Sequence, residues 1–448
     1  MLSTVRSHRL SQWWIAAGLG FFFLAIGIQH SLRIKNSDRP DSKSAFLRWL
    51  PQFRELNGGV DIWQKYNWPN SPVMAILLEP FMLVDPPMLG SQLWLIAKMG
   101  FAALSILLVF KMLDRPDRPF PFWGKALAVL LALRPIEGDL VHGNVNLFIL
   151  LTVVVGVYAF HRGWDITAGL WISLGIACKV TPALFLPYFV WKRAWKSLAA
   201  SAVGLALWLL FVPGVYFGWQ TNLQYLRGWV NGMIMPFVVK NEIVSEHQNQ
   251  SLPGLSERML RHRPSITRPA DDRSGYEAVA FHNIADWSSA TVGLLIKGAL
   301  AAFALCVMWR CRAPLNDRTD SRWVAEFGVV VLGMLLFSER TWKHHAVTLM
   351  IPFAVLAYQL SAVKMPLRTW RYLMGTTVAV VLLMLTTTSG IVTLFGVPDE
   401  KDMFGKYAQV YGAYTWSFAL LLAAMFTVAG REDQAEAQVA ERPVARAA

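Results

Sequence analysis

One apolar run after another, each roughly 17–25 residues long, leaves this chain few folds to adopt. The runs sit near residues 12–30, 88–112, 122–135, 144–160, 166–191, 197–216, 289–309, 323–338, 344–361, 371–395 and 411–430. A helix of roughly 20 apolar residues crosses the ~30 Å hydrocarbon core of a bilayer. Inside that core only structures that satisfy their own backbone hydrogen bonds persist. With 448 residues, 55% of them hydrophobic, and mean hydropathy +0.38, the chain reads as an all-α polytopic membrane protein. About 10–12 transmembrane or membrane-inserted helices are expected.

A formal charge of +13 raises nucleic acid as a partner. The cations lie in short loops between apolar runs, the positive-inside pattern of membrane proteins, so no nucleic-acid partner is expected. Cys178, Cys306 and Cys311 show no metal or disulfide spacing, and no metal site is expected. Arg6 and Arg9 precede an apolar core from Trp13 to Ile28. No small-x-small cleavage site follows, so 1–30 reads as a retained first transmembrane helix.

The Lys/Arg bias places five loops on the cytoplasmic side. They hold Arg115 and Arg118, Arg162, Lys192 to Lys196, Arg310 to Arg322, and Lys364 to Arg371. All five share that side only if 166–191 enters and leaves by the same face. The run breaks at Lys179-Val180-Thr181-Pro182, so a hairpin with its tip at Lys179 is expected in preference to one long tilted span. The domains are then 1–30, a 31–87 extracytoplasmic loop with interfacial helices, 88–216 with the hairpin, a 217–288 extracytoplasmic cap, 289–430, and a cytoplasmic tail 431–448. Ser44 to Phe53 reads as an amphipathic helix stopped at Gly58-Gly59, and Pro69-Asn70-Ser71-Pro72 opens another.

Polar groups at helix mouths are functional candidates. In the first loop Asp38, Asp41 and Asp61 stand among Arg39, Lys43 and Arg48, either as a base beside anion-binding cations or as a solvated loop. Arg134 to Asn146 packs Arg134, Glu137, Asp139, His142, Asn144 and Asn146 into one turn, more than helix capping requires. At the hairpin tip, Lys179 and a half-helix capped by Thr181 and started by Pro182 suit a phosphate. The alternative is a snorkelling lysine. Asn249-Gln250-Ser251-Leu252, with Arg258 beyond, suits sugar hydroxyls or an ordinary turn. Glu339 to His345 holds Trp342, His344 and His345. Adjacent histidines project about 100° apart on a helix, which favours a hydrogen-bonding or phosphate role over chelation.

Taken together, these pieces resemble the family 87 glycosyltransferases, membrane enzymes of the GT-C class that use polyprenyl-phosphate mannose. The family's Arg-Pro turn followed by Gly-Gln-x-Asn matches Arg134-Pro135 and Gly143-Asn144-Val145-Asn146, with Asn in place of Gln. Its Lys-x-x-Pro matches Lys179 to Pro182, its Asn-Gln-Ser-Leu with a later Arg matches Asn249 to Leu252 and Arg258, and its Trp-x-x-His matches Trp342 to His345. The family's catalytic Asp, counted back from Gly59, falls near Ser44 or Ala45, and the nearest upstream carboxylate is Asp41.

The resemblance implies a GT-C-like bundle in a bacterial inner membrane with an extracytoplasmic site. A sugar, by analogy mannose, would pass from a polyprenyl-phosphate donor to a lipid or glycan acceptor with inversion and without a cofactor. Asp41 would be the base, with Asp139 next in line. Lys179, Thr181, His345 and Arg258 would hold the donor phosphate. Arg48, Arg134, Asp139, Asn144, Asn146, Asn249, Gln250, Trp342 and His344 would line the substrate site. Three other readings stand beside it: a transporter or flippase of lipid-linked sugars, a non-catalytic binder of them, and a catalytically inactive relative.

Overall fold

A computed structural model describes residues 2–37, 43–240, 242–269, 276–315, 318, 320–395 and 402–430. Asp38, Arg39, Asp41 and the tail 431–448 lie outside the described residues.

The protein is an all-α membrane bundle. Among the described residues, six helices are long and apolar enough to cross a bilayer: Trp13–Lys35, Pro87–Leu113, Trp195–Phe217, Ser289–Arg310, Lys343–Ala362 and Leu367–Thr386. Met403–Val410 and Ala413–Ala429, bent by 49°, make a seventh if taken as one span. The sequence expectation of about 10–12 counted shorter elements as well. Three of these are the apolar helices Pro72–Met82, Asn146–His161 and Asp165–Cys178.

The break at Lys179 turns the chain back. Asp165–Cys178 ends there, and a 3-10 turn, Thr181–Leu184, leads into Phe185–Trp191. The next helix, Trp195–Ala206, lies parallel to Asp165–Cys178. Ser197 Oγ donates to Asp165 Oδ1 at 3.2 Å, Ser201 Oγ to Gly169 O at 3.2 Å, and Gly204 meets Ser173 one turn further on. These two helices run parallel only because the segment between them, Thr181 to Trp191, returns to the starting end. A Cβ on Gly169 would collide with Ser197, Ala200 and Ser201, so the seam is closed by small residues at backbone contact.

The starting end is the basic one. Trp191 Nε1 donates to Cys311 O at 3.1 Å, Lys192 Nζ to Ala313 O at 2.9 Å, and Arg318 pairs with Asp165 at 2.5 Å. Arg118, Arg312, Arg322 and Lys364 line a cavity of about 1010 Å³ at this same end. Short loops of like charge therefore gather on one side of the bundle, as the charge bias requires.

At the opposite end the first loop folds as its own small core. Ala45–Asn57 carries Phe46, Trp49, Leu50, Phe53 and Leu56 on its buried face and stops at Gly58, with Gly59 at φ +86°. Trp63 and Trp68 are fully buried and meet edge to face. Each buried indole contributes on the order of 3 kcal/mol. Ser71 Oγ donates to Ala177 O at 2.5 Å and clamps this loop against the hairpin tip. The polar stretch after Val239 carries the helix Leu252–Leu260 and an antiparallel strand pair, Ile266–Pro269 with Tyr276–Ala280.

Candidate active site

The site grows from a buried ion pair. Lys98 sits in the middle of the Pro87–Leu113 helix, wholly inaccessible, with its Nζ 3.0 Å from Asp139 Oδ2. A lone lysine at this depth is stable only when paired. Asp139 spends its remaining capacity locally. Its Oδ1 accepts from Asn146 Nδ2 at 2.8 Å and its Oδ2 from Leu147 N at 3.2 Å. Asn146 Oδ1 in turn accepts from Lys179 Nζ at 2.5 Å. A chain of charge-assisted bonds thus runs from the membrane interior to the hairpin tip. Asp139 is fully buried, with its carboxylate held by Lys98, Asn146 and Leu147 N, unlike the open substrate contact expected for it.

Lys179 opens into a cavity of about 370 Å³. One wall is apolar: Trp229, the last residue of the Trp219–Trp229 helix, with Met233, Ile234 and Phe237 from the wound stretch Val230–Val239 that continues it. The other is polar: Arg48, Asn144, Lys179, Thr181, Glu339, Arg340, Trp342, His344 and His345. His345 Nδ1 accepts from Trp342 N at 3.3 Å, which fixes the neutral tautomer with its proton on Nε2 as a donor. Arg340 and Glu339 lie in the turn between two helices. Burial pushes the Glu339 carboxyl up and lowers the Arg340 guanidinium from its ordinary value. Lys179, Arg340 and the Nε2–H of His345 make a donor set for a phosphate, and the apolar wall suits a hydrocarbon tail.

His344 divides this chamber from a second one. Its ring stacks on His142 with centroids 4.2 Å apart, and its Nε2 lies 3.3 Å from Asn144 Nδ2. Beyond the stack two adjoining cavities, of about 660 Å³ and 280 Å³, share His142, Lys343, His344 and Ser389. Arg134 faces the larger of these, paired with Glu137, and not the chamber of Lys179. His344 and His345 stand at 90° to each other.

The sequence-expected residues separate into two groups. Arg48, Lys179, Thr181, Asn144, Trp342, His344 and His345 come together at the first chamber, and Asn146 holds Lys179 beside it. Thr181 does so without the capping role expected of it, because Val180 holds the cap position of the turn and no side-chain cap forms. At the start of the next helix Asn144 Oδ1 accepts from Val145 N at 2.7 Å, whereas Asn146 takes no such part and Asp139 accepts from Leu147 N.

Asn249, Gln250 and Arg258 form the second group, and in place of the open ligand-facing groups expected, their side chains bond to the protein itself. Asn249 Nδ2 donates to Val244 O and Glu339 O, and its Oδ1 accepts from Thr341 N at 2.9 Å and Ser251 N at 3.2 Å. Gln250 binds His247 O, Gln409 O and Tyr414 N. Arg258 is fully buried and donates to the carbonyls of Val410, Ser245, Glu246, Asn249 and Gln409. These side chains build the loop that carries Arg340 and leave no group for a sugar or phosphate. Arg258→Met is accordingly expected to cost about 3–5 kcal/mol of stability by orphaning buried carbonyls. Thermal unfolding in detergent measures the loss, and the donor KM of the protein that remains folded should stay near wild type.

Sequence reasoning missed Lys98, and it named Glu339 and Arg340 within the helix-mouth stretch without giving either a role. A single cation inside an apolar run was the available signal for Lys98.

The sequence profile of glycosyltransferase family 87 matches residues 68–338. Two curated relatives are polyprenol-phosphate-mannose-dependent alpha-(1-2)-phosphatidylinositol mannoside mannosyltransferases. That of Mycobacterium tuberculosis is 22% identical over 285 residues, 61% of this chain and 58% of the relative. That of Mycolicibacterium smegmatis is 23% identical over 416 residues, 86% of this chain and 81% of the relative. The chain therefore spans less than two thirds of the first relative's length. A solved structure of ArnT from Cupriavidus metallidurans bound to undecaprenyl phosphate is 11% identical, with TM-score 0.36, over 92% of this chain and 78% of that one. With the profile match extending over more than half of its length, the chain belongs to glycosyltransferase family 87.

Proposed function

We propose that the protein transfers a hexose, mannose by analogy with its relatives, from a polyprenyl-phosphate donor to a lipid or glycan acceptor. We place the site on the extracytoplasmic face because it lies at the end opposite the basic loops. The observation that carries the reading is the first chamber. It joins Lys179, Arg340 and His345 to an apolar wall, and so matches a ligand that is phosphate at one end and hydrocarbon at the other.

In this reading the donor enters laterally, its tail along Trp229 to Phe237. Asp41 takes the proton from an acceptor hydroxyl while that oxygen attacks the anomeric carbon opposite the phosphate. The bond between that carbon and the phosphate oxygen breaks, and its electron pair leaves on the polyprenyl phosphate. Lys179, Arg340 and His345 stabilise the developing charge, and one displacement inverts the sugar. Arg48, Asn144, Trp342 and His344 position the sugar. Support for Asp41 comes from its neighbours. Lys43 lines the second chamber, and Ser44 packs directly on Gly143, between His142 and Asn144.

The test is transfer of radiolabelled mannose from synthetic polyprenyl-phosphate mannose in membranes carrying wild type, Asp41→Asn or Glu339→Gln. Wild type should label a glycolipid or glycan. Asp41→Asn should lose transfer about 10²–10⁴-fold while still binding donor. Retained transfer by Asp41→Asn, with loss in Glu339→Gln, would move the base to Glu339, the carboxylate of the first chamber among the described residues. Donor binding with export and no transfer by any form would favour a lipid-linked sugar transporter.

A further inference from the structure

We infer that Gln52, Trp68 and Asn70 form a subsite in the wall of the first chamber that reads the hydroxyls of the donor's sugar and so sets sugar specificity. The inference rests on the transferase reading above and adds the residues that select the sugar. All three line the 370 Å³ cavity, on the side built by the first loop. Trp68 and Asn70 are buried, 1% and 5% exposed, and Gln52 is half-buried. Gln52 Oε1, Trp68 Nε1 and Asn70 Nδ2 nevertheless have no hydrogen-bond partner among the described residues. Buried polar groups are nearly always paired, so three orphans on one cavity wall call for a partner from outside the chain.

The segment that carries two of them is held firmly. Trp63 Nε1 donates to Asn70 O at 2.7 Å, Trp229 Nε1 to Pro69 O at 3.3 Å, and Ser71 Oγ to Ala177 O at 2.5 Å. The Trp68 ring meets Trp49, Phe53 and Trp63 edge to face. Backbone and indole are thus fixed while the indole N–H and the amide nitrogen keep their bonding capacity, the condition for a preorganised site. The donor and acceptor set identifies the ligand. Two N–H donors alone would suit a phosphate oxygen. Gln52 Oε1 is an acceptor and would repel one, because a phosphodiester has no proton to give. A hydroxyl both donates and accepts, so neighbouring hydroxyls of a hexose satisfy all three groups. The Ser71 clamp to Ala177, two residues before Lys179, keeps this wall beside the phosphate donors, where the sugar of a bound donor would lie.

The test compares synthetic polyprenyl-phosphate mannose with its monodeoxy analogues, each lacking one hydroxyl, on the purified full chain as wild type, Asn70→Leu and Gln52→Met. A site that pairs buried groups with a hydroxyl rejects the analogue that lacks it. Wild type should therefore lose at least about 100-fold in kcat/KM with one analogue. Each variant should narrow that ratio to about tenfold or less, because the group left unpaired by the analogue is gone. The ratio is taken within one protein, so any loss of folded enzyme cancels. Discrimination that survives unchanged in both variants, or a wild type that accepts every analogue equally, overturns the inference.

Equilibrium binding tests the subsite apart from turnover. Polyprenyl-phosphate mannose should bind wild type at least about tenfold tighter than polyprenyl phosphate, and Asn70→Leu should erase most of that gain. Absence of transfer with the gain present counts against the transferase reading and supports the subsite. Equal affinity of wild type for the two lipids overturns the subsite. An Asn70→Leu protein that binds both lipids more weakly, with the gain intact, assigns the amide to the phosphate and overturns the inference as well.

Discussion

Lys179→Met is expected to lower sugar transfer by about 10²–10³-fold while leaving the fold intact. In the proposed mechanism the lysine supplies positive charge where a leaving phosphate gathers its own, in a chamber that Trp229 and Phe237 help to line. Methionine keeps the length and the apolar stem, so packing against Val180 and Thr181 survives. What disappears is the interaction that strengthens as the glycosidic bond breaks, and such a loss falls on kcat more than on KM. Turnover of polyprenyl-phosphate mannose, together with thermal unfolding in detergent, separates the two. Transfer within tenfold of wild type, at unchanged stability, would remove the lysine from the mechanism.

The second large effect concerns a residue that touches no substrate. Asp139→Leu should cost about 3–5 kcal/mol of stability, because it strands Lys98 unpaired in the interior. Lys98→Met/Asp139→Leu should regain most of that loss, since two well-packed apolar side chains replace a buried ion pair at little cost. It should not regain activity. Asn146 loses its anchor in the double variant, Leu147 N loses its cap, and the amide that orients the Lys179 ammonium is no longer held in place. Stability restored with transfer still down at least about tenfold is the signature of a positioning role. Recovery of both together would make Asp139 merely structural.

The parts of the fold that were legible in the sequence are those set by solvent. Hydrocarbon-length apolar runs and the sidedness of arginine and lysine are dictated by the bilayer, so the helical bundle and the turn-back at Lys179 could be read from composition and breaks. The clustering of Lys179, Trp342 and His345 was legible for a related reason, since polar groups at helix mouths have few places to go. Asn249, Gln250 and Arg258 show where legibility ends. An amide or guanidinium looks the same in sequence whether it faces a sugar or a row of backbone carbonyls. Only the path of Val244 to Gln250 beside Val410 reveals which. Lys98 was hidden for the opposite reason: within a 27-residue helix one cation hardly alters the hydropathy that defines a span.

The small-residue seam between Asp165–Cys178 and Trp195–Ala206 acts as a depth gauge. Asp165–Cys178 has 14 residues, so it rises about 21 Å from the basic end, some 9 Å short of the ~30 Å hydrocarbon slab. With Gly169 and Gly204 at backbone contact, the helix has little room to slide, and the height of the lysine above the basic surface is fixed by a residue count. With the basic end set at one boundary of the slab, the phosphate proposed to meet Lys179 would do so below the plane where lipid headgroups rest. Inserting one helical turn before Cys178 would lift the ammonium by about 5.4 Å and return that meeting point toward the interface.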